Sequence, residues 1–464
     1  MRELPEGWAE AIVVDLLLSI SNGIPNKQNK EAKGIPVTRI ETIATGKIDF
    51  SRVGFVENTD SYVIERFRLK EGDILFSHIN SLAHIGKTAL FVEESKELFH
   101  GTNLLLLRPD TSITIPSFLE YGFQFLRNLH FFRLNAQNAV NQASLNQKQL
   151  KSIGIPLPPL NEQKRIADRL DQLLTRIDKT KAHLDRIPPL LKRFRQSVLA
   201  VATSGKLTEE WREDNGEQDS SSKFPLDWNL KLVKEVGNVQ LGRQRSPKYH
   251  SGQYMRPYLR VQNVFENFID LDDVMEMNFP PPDMEKYRLC YGDILLNEGQ
   301  SPHLLGRPAM FRDGLPEAYF TNTLIRFQAF DVVSREFALL VFRNYMHCGR
   351  FQHEGTITTN IAHLGAGRFA EIEFPVPSLE EQQEIVRRVE ALFAKADRIE
   401  AQYKNARQQV DRLTPALLAK AFRGELVPQD PKDEPASVLL ERVKEARSIG
   451  QVKTVQRTKK KIKF

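Results

Sequence analysis

At 464 residues the chain is about three times the ~150-residue domain prior, which excludes a single small domain and calls for two to four folded units. Its 41% hydrophobic and 27% charged residues are those of an ordinary soluble chain, and its two cysteines, Cys290 and Cys348, exclude a disulfide scaffold or a four-cysteine zinc site and fit a reducing cytosol. The formal charge of +6 sits at the end: Lys453, Arg457, Lys459, Lys460, Lys461 and Lys463 have no acid among them, so the residues before them sum to zero and net charge alone does not mark a nucleic-acid binder. No run approaches the ~18 apolar residues of a membrane span. The stretch Ile12 to Ile20 carries Asp15 and lacks a basic leader and cleavage site, so no membrane association is expected and the whole chain is expected to be the mature, cytoplasmic protein.

In chain order, residues 1–152 read as a globular region of mixed α and β. Short strand-like runs at Asp73 to Phe76, Thr88 to Val92 and Leu104 to Leu107 alternate with turn residues, and a helical pattern follows at Ile115 to Phe132. Residues 153–205 read as a helical segment. Its apolar positions Ile166, Leu170, Leu173, Ile177, Thr180, Leu184, Ile187, Leu191, Phe194 and Val198 alternate steps of four and three, a coiled-coil seam. Pro188-Pro189 is expected to kink or divide it. Residues 206–224 include the polar run Thr208 to Lys223 and read as a linker. A second globular region is expected over 225–371, and a second helix over 372–423 with the seam Ile385, Val389, Leu392, Ala396, Ile399, Tyr403, Ala406, Val410, Leu413 and Leu417. Residues 424–464 read as a basic tail, a solvated arm.

The chain is an internal duplication. Ile153-Gly154-Ile155-Pro156-Leu157-Pro158, followed by Leu160, Glu162 and Gln163, recurs 219 positions later as Ile372-Glu373-Phe374-Pro375-Val376-Pro377 with Leu379, Glu381 and Gln382. Upstream, Pro5 and Trp8 match Pro225 and Trp228, and Gly72-Asp73-Ile74-Leu75 matches Gly292-Asp293-Ile294-Leu295. A first helix from about Asn161 to Ser204 would be about 66 Å long at ~1.5 Å per residue. A short linker would have to climb that length nearly extended for parallel pairing, so the two helices are expected to pair antiparallel. The fold class expected is therefore α+β: two globular mixed α/β regions joined by two long antiparallel coiled-coil helices with pseudo-two-fold duplication.

Several motifs imitate catalytic sites. Ile85-Gly86-Lys87-Thr88 ends like a phosphate loop, but Ser81 stands where that loop needs glycine, and the second copy reads Gly306-Arg307-Pro308. In Asn278-Phe279-Pro280-Pro281 the phenylalanine spoils the Asn-Pro-Pro motif of amino-group methyltransferases. His347, Cys348 and His353 lack a fourth zinc ligand. No nucleophile has a base nearby in sequence, and the chain reads as a binder.

The two-copy plan resembles the DNA-specificity subunit of type I restriction-modification systems over nearly its whole length. The resemblance is carried by Pro156-Leu157-Pro158-Pro159-Leu160-Asn161-Glu162-Gln163 with its helix, by Leu191 to Leu199 with Gly205-Lys206-Leu207-Thr208, and by Leu417 to Leu426. It implies that each globular region is a target-recognition domain reading one half of a split double-stranded DNA sequence, with the helices as a ruler. It implies no catalytic residue, cofactor or metal in this chain. The partners implied are two modification subunits, which use S-adenosylmethionine to methylate adenine N6, and two restriction subunits that need ATP and Mg. The alternative is a coiled-coil protein-interaction scaffold without DNA specificity.

Residue chemistry ranks the candidate DNA contacts. Between Gln240 and Asn263 stand Arg243, Arg245, Lys248, Arg256 and Arg260 with Gln262 and interleaved tyrosines, and no acid. Arg and Lys neutralise phosphates, and Arg and Gln can bond guanine and adenine edges. The first copy offers Lys27, Gln28, Lys30, Lys33 and Arg39. After the Gly-Asp strands, His78 and Asn80, and Asn297 and Gln300, form a second set.

Overall fold

The computed structural model describes residues 4–447 except 58, 59, 94, 140, 141, 215–223, 226, 227, 313, 359 and 360. The chain divides into two units, Met1–Leu184 with Asn405–Phe464, and Asp185–Lys404. Each is described by itself.

In the first unit the elements that build the main sheet, the small sheet and the joint are β1 (Ala9–Ile12), β2 (Leu17–Asn22), β3 (Ile74–Phe76), β4 (Ile79–Asn80), β5 (Thr88–Leu90), β6 (Leu105–Pro109), helix α1 (Pro116–Asn128), β7 (Gln137–Ala139), β8 (Gln142–Ser144), β9 (Gly154–Leu157) and helix α2 (Leu160–Leu184). Strands β2, β6, β3 and β5 make an antiparallel sheet in that order. Successive side chains of a strand face opposite ways. Accordingly Ile74, Phe76, Leu105 and Leu107 join a core with Phe118 and Phe123 of α1, whereas Leu75, Ala89, Leu104 and Leu106 line a second core on the other face. A smaller sheet, β4-β8-β7, stands beside it.

The second unit repeats this plan. It holds helix α3 (Ile187–Ala202), β10 (Asn229–Leu232), β11 (Gly237–Leu241), β12 (Ile294–Asn297), β13 (Gly299–Gln300), β14 (Pro308–Met310), β15 (Leu324–Ala329), helix α4 (Arg335–His347), β16 (Thr356–Thr358), β17 (Ile361–His363), β18 (Glu373–Val376) and helix α5 (Leu379–Ala421), which runs on into the first unit. The large sheet is β11-β15-β12-β14 and the small one β13-β17-β16.

The repeated signature proves to be a joint. β1 pairs with β9, and β10 with β18, so each globular region is closed by its own ends. Trp8 Nε1 donates to Glu162 at 3.2 Å, and Trp228 Nε1 to Glu381 at 2.7 Å. Gln163 Nε2 donates to the carbonyls of Ile113 and Pro158, while its Oε1 accepts from the amide of Ile115. Gln382 repeats this with Val332, Pro377 and Ser334. Glu and Gln in the first helical turn supply these buried groups with partners.

Three sequence expectations are corrected. The segment expected as helix from residue 153 begins instead with strand β9. The division expected at the prolines is found at Asp185 and Arg186, with Pro188 and Pro189 in the first turn of α3 where their missing N–H groups cost nothing. Of the seam residues, Ile166 and Leu170, and Ile385 and Val389, are buried in the globular cores, Ile177 is buried, and Leu173, Leu184, Leu392 and Tyr403 are partly buried. Ile399, by contrast, is 46% exposed. Ion pairs hold the helices there: Arg195 meets Asp397 at 2.7 Å and Glu400 at 2.8 Å. Moving along the chain from Arg195 to Leu207 and Thr208, the partners step back from Asp397 to Arg388 and Glu381, which is antiparallel packing. In the first unit, Lys181 meets Asp411 and the earlier Arg165 meets Asp433, in the same opposed sense.

The third correction concerns the ends of the helices. The expected linker contains a short helix, Glu209–Asp214, whose Arg212 is buried against Glu381. The expected tail contains a helix over 436–447 with Ala436 and Leu440 in the core of the first unit. Ala436 N donates to Gly7 O, and Arg447 pairs with Asp110 at 2.7 Å. Both long helices stop at a glycine in the left-handed region, Gly205 (φ +82°) and Gly424 (φ +72°), where an added Cβ would strike Pro225 or Pro5. The run of cations from Lys453 onward lies outside the described residues.

Candidate nucleic-acid interface

The basic loop of the second unit turns out to be largely structural. Arg243 is 5% exposed, pairs with Asp283 at 2.7 Å, donates to the carbonyl of Asn278 and lies 3.8 Å above the ring of Tyr249. Its bridge to Thr321 corresponds to that of Ile24 to Gly101, so the arginine occupies what is a core position in the first copy. A base contact by Arg243 is therefore not supported: its guanidinium is buried and engaged by Asp283, the Asn278 carbonyl and the Tyr249 ring. Arg256 pairs with Glu317 at 3.1 Å, and Arg260 with Asp273 at 2.5 Å. Arg245, Lys248 and Gln262 are exposed.

In the first unit Lys27 and Lys30 are exposed, and Lys33 pairs with Glu31 at 2.9 Å. Gln28 is turned inward, Nε2 donating to Thr38 O, and Arg39 pairs with Glu41 at 3.4 Å. The exposed cations of the two units thus come from matching stretches but form no matching pattern.

The second candidate set is brought together with strands that the sequence reading missed. Asn80 lies on β4 opposite Ala143 of β8, and Gln300 on β13 opposite Ala362 of β17. Leu145 N donates to His78 O, and Leu364 N to Glu298 O, both at 2.8 Å. Asn80 Nδ2 donates to Ser77 Oγ, and Gln300 Oε1 accepts from the amide of Ser301. Burial pulls the His78 pKa below the usual imidazole value. Asn297 is fully buried with no hydrogen-bond partner for either amide atom among the described residues, and burial leaves it no surface for a direct contact.

The glycine behind each small sheet explains the phosphate-loop look-alike. Gly86 (φ +75°) and Gly306 (φ +67°) each cover a phenylalanine, and a Cβ would lie 2.2 Å from Phe132 or 2.3 Å from Phe351. Glycine is demanded by the backbone and the ring, not by a nucleotide. Among the described residues no group of three or more His, Cys, Asp or Glu is placed to hold a metal, and no helix is long and apolar enough to cross a membrane.

Known proteins agree with this duplicated architecture. The family model for the type I restriction modification DNA specificity domain matches twice, over residues 5–188 and 225–407. The EcoKI specificity subunit of Escherichia coli is 30% identical over 98% of this chain and 99% of its own. The putative MjaX specificity subunit of Methanocaldococcus jannaschii is 39% identical, with 54% of this chain and 56% of that protein aligned, so the match spans about half of each. In fold, the chain is similar to the HsdS subunit from Thermoanaerobacter tengcongensis, with TM-score 0.55, 18% identity and coverage of 91% and 98%. A chain from a structure of the complex assembly and conformational transition of the type I R-M system gives TM-score 0.67 at 16% identity, covering 92% of this chain and 100% of that one. The chain therefore belongs to the type I restriction-modification DNA specificity family.

Proposed function

We propose that this protein is the sequence-reading subunit of a type I restriction-modification assembly, each globular region reading one half of a bipartite duplex target. The observation that carries the reading is the duplication. One scaffold is built twice, with the same joint of tryptophan, glutamate and glutamine, and it carries two different outer surfaces. Two similar readers with different faces suit a split and asymmetric target.

The subunit itself is a binder and acts in the cytoplasm of a prokaryote. Chemistry belongs to its partners: two modification subunits that bring S-adenosylmethionine to adenine N6, and two restriction subunits that use ATP and Mg. The test is single-molecule sequencing of DNA from a host expressing the chain with its modification partner. A bipartite motif carrying N6-methyladenine is expected. Exchange of residues 1–152 for those of a relative should alter one half of the motif, and alteration of both halves would show that the regions are not independent readers. Free of partners, the chain should bind DNA weakly with a shallow salt slope, because Arg243, Arg256 and Arg260 are held by its own acids.

A further inference from the structure

We propose that the two β-ribbons, β7 with β8 and β16 with β17, read base edges in the major groove through their outward side chains, one ribbon in each half-site. The inference rests on the recognition reading above and names the element that performs it.

The duplication supplies an internal comparison. Behind each ribbon the two copies agree: Ala143 and Ala362 are both fully buried, Leu145 and Leu364 nearly so, and Phe132 and Phe351 pack beneath Gly86 and Gly306. The pairing registers agree as well, with Ser144 opposite Gln137 and His363 opposite Thr356. On the outward positions they differ throughout. Gln142 stands where Ile361 does, Ser144 where His363 does, and Gln137 where Thr356 does. A platform held constant beneath a face that changes at every position is what two readers of different sequences require.

The chemistry of the faces fits base edges. A major groove about 12 Å wide admits a two-stranded ribbon. In the first unit Gln137 and Gln142 are exposed amides, able to bond adenine in bidentate fashion, with no acid among the outward residues to repel the duplex. In the second unit the outward Ile361 is 50% exposed and shares its face with Thr356 and His363, and an apolar contact of this kind fits a thymine methyl group. Strands β7 and β16 are both sheet edges, and on β16 Ile357 is 54% exposed, a liability unless something covers that edge.

The test uses the full chain with its modification partner in a host whose N6-methyladenine is mapped by single-molecule sequencing. Gln142→Ala should relax one position of one half-site, with discrimination there falling roughly five- to a hundredfold. Ile361→Ala should relax a position in the other half. Assembly and melting temperature should stay at the parental values. Should Gln142→Ala lower the melting temperature, the isosteric Gln142→Glu is read instead; its carboxylate only accepts, which turns preference from adenine toward cytosine. An unchanged motif at full methylation overturns the proposal. So does a uniform loss at all sites, which marks phosphate contact, or a loss of assembly at unchanged melting, which marks a protein interface. A parental complex that methylates no motif would instead defeat the underlying reading, so the two failures are distinct.

Discussion

Arg243 and His100 show how a polar side chain becomes part of a core. Removing Arg243 leaves the Asp283 carboxylate without its partner and a hole beside Phe279. Arg243→Ala should cost about 3 kcal/mol, the low end for a broken buried pair because Asp283 is partly exposed, and denaturant unfolding of the variant measures it. The methylated motif should be unchanged, since the residue faces inward. His100 is fully buried, with Nε2 bonded to the Leu104 carbonyl and Nδ1 unpartnered, and burial pushes its pKa down to about 4. The folded value lies below the unfolded one of about 6.5, so the native state binds fewer protons. Its contribution is complete above pH 6.5 and is lost as pH falls toward 4, up to about 3 kcal/mol. Phe320 occupies the matching, fully buried place in the second copy, as the paired bridges Arg68 to Phe99 and Arg288 to Tyr319 place it. His100→Phe should therefore flatten the decline in unfolding midpoint between pH 7 and 4.5, and an unchanged slope would clear His100 as its source.

At the level of elements, the joint between globular region and helix depends on one amide. Gln163→Leu keeps the shape but strips two carbonyls and one N–H of their partner, and should destabilise the first unit by about 2–4 kcal/mol. Proteolysis of the first unit should accelerate while the second keeps its resistance. The helices, their break at the prolines and the duplication were legible because periodicity and repetition are local properties of the text. The ion partners of the basic loop were not: Asp273, Asp283 and Glu317 lie 13 to 61 positions from the arginines they hold. The ribbons were missed for another reason. Three-residue strands reading QNA and QAS have no hydrophobic alternation, and only pairing, of β7 with β8 and of β8 with β4, makes them strands. Ile399 kept the heptad spacing yet lies exposed, since helical period predicts a face and not what covers it.

For the whole molecule, the segment after Gly424 is part of the first unit's fold. Deleting residues 424–464 removes Ala436, Leu440, the partly buried Leu426, Val427 and Val443 and the Arg447 pair, and should melt the first unit earlier in calorimetry; deletion from residue 448 should not. This arrangement also bears on synthesis. The second unit has all its residues once position 404 has been made, whereas the first, begun earlier, lacks its closing helix until residues near 440 emerge. At about 5–20 residues per second, the apolar faces of Ile166, Leu170 and Phe118 wait roughly 12–65 s for Leu418, Phe422 and Leu440. The half written first is finished last, and during that interval the nascent chain presents an incomplete core that a ribosome-bound chaperone would be expected to hold.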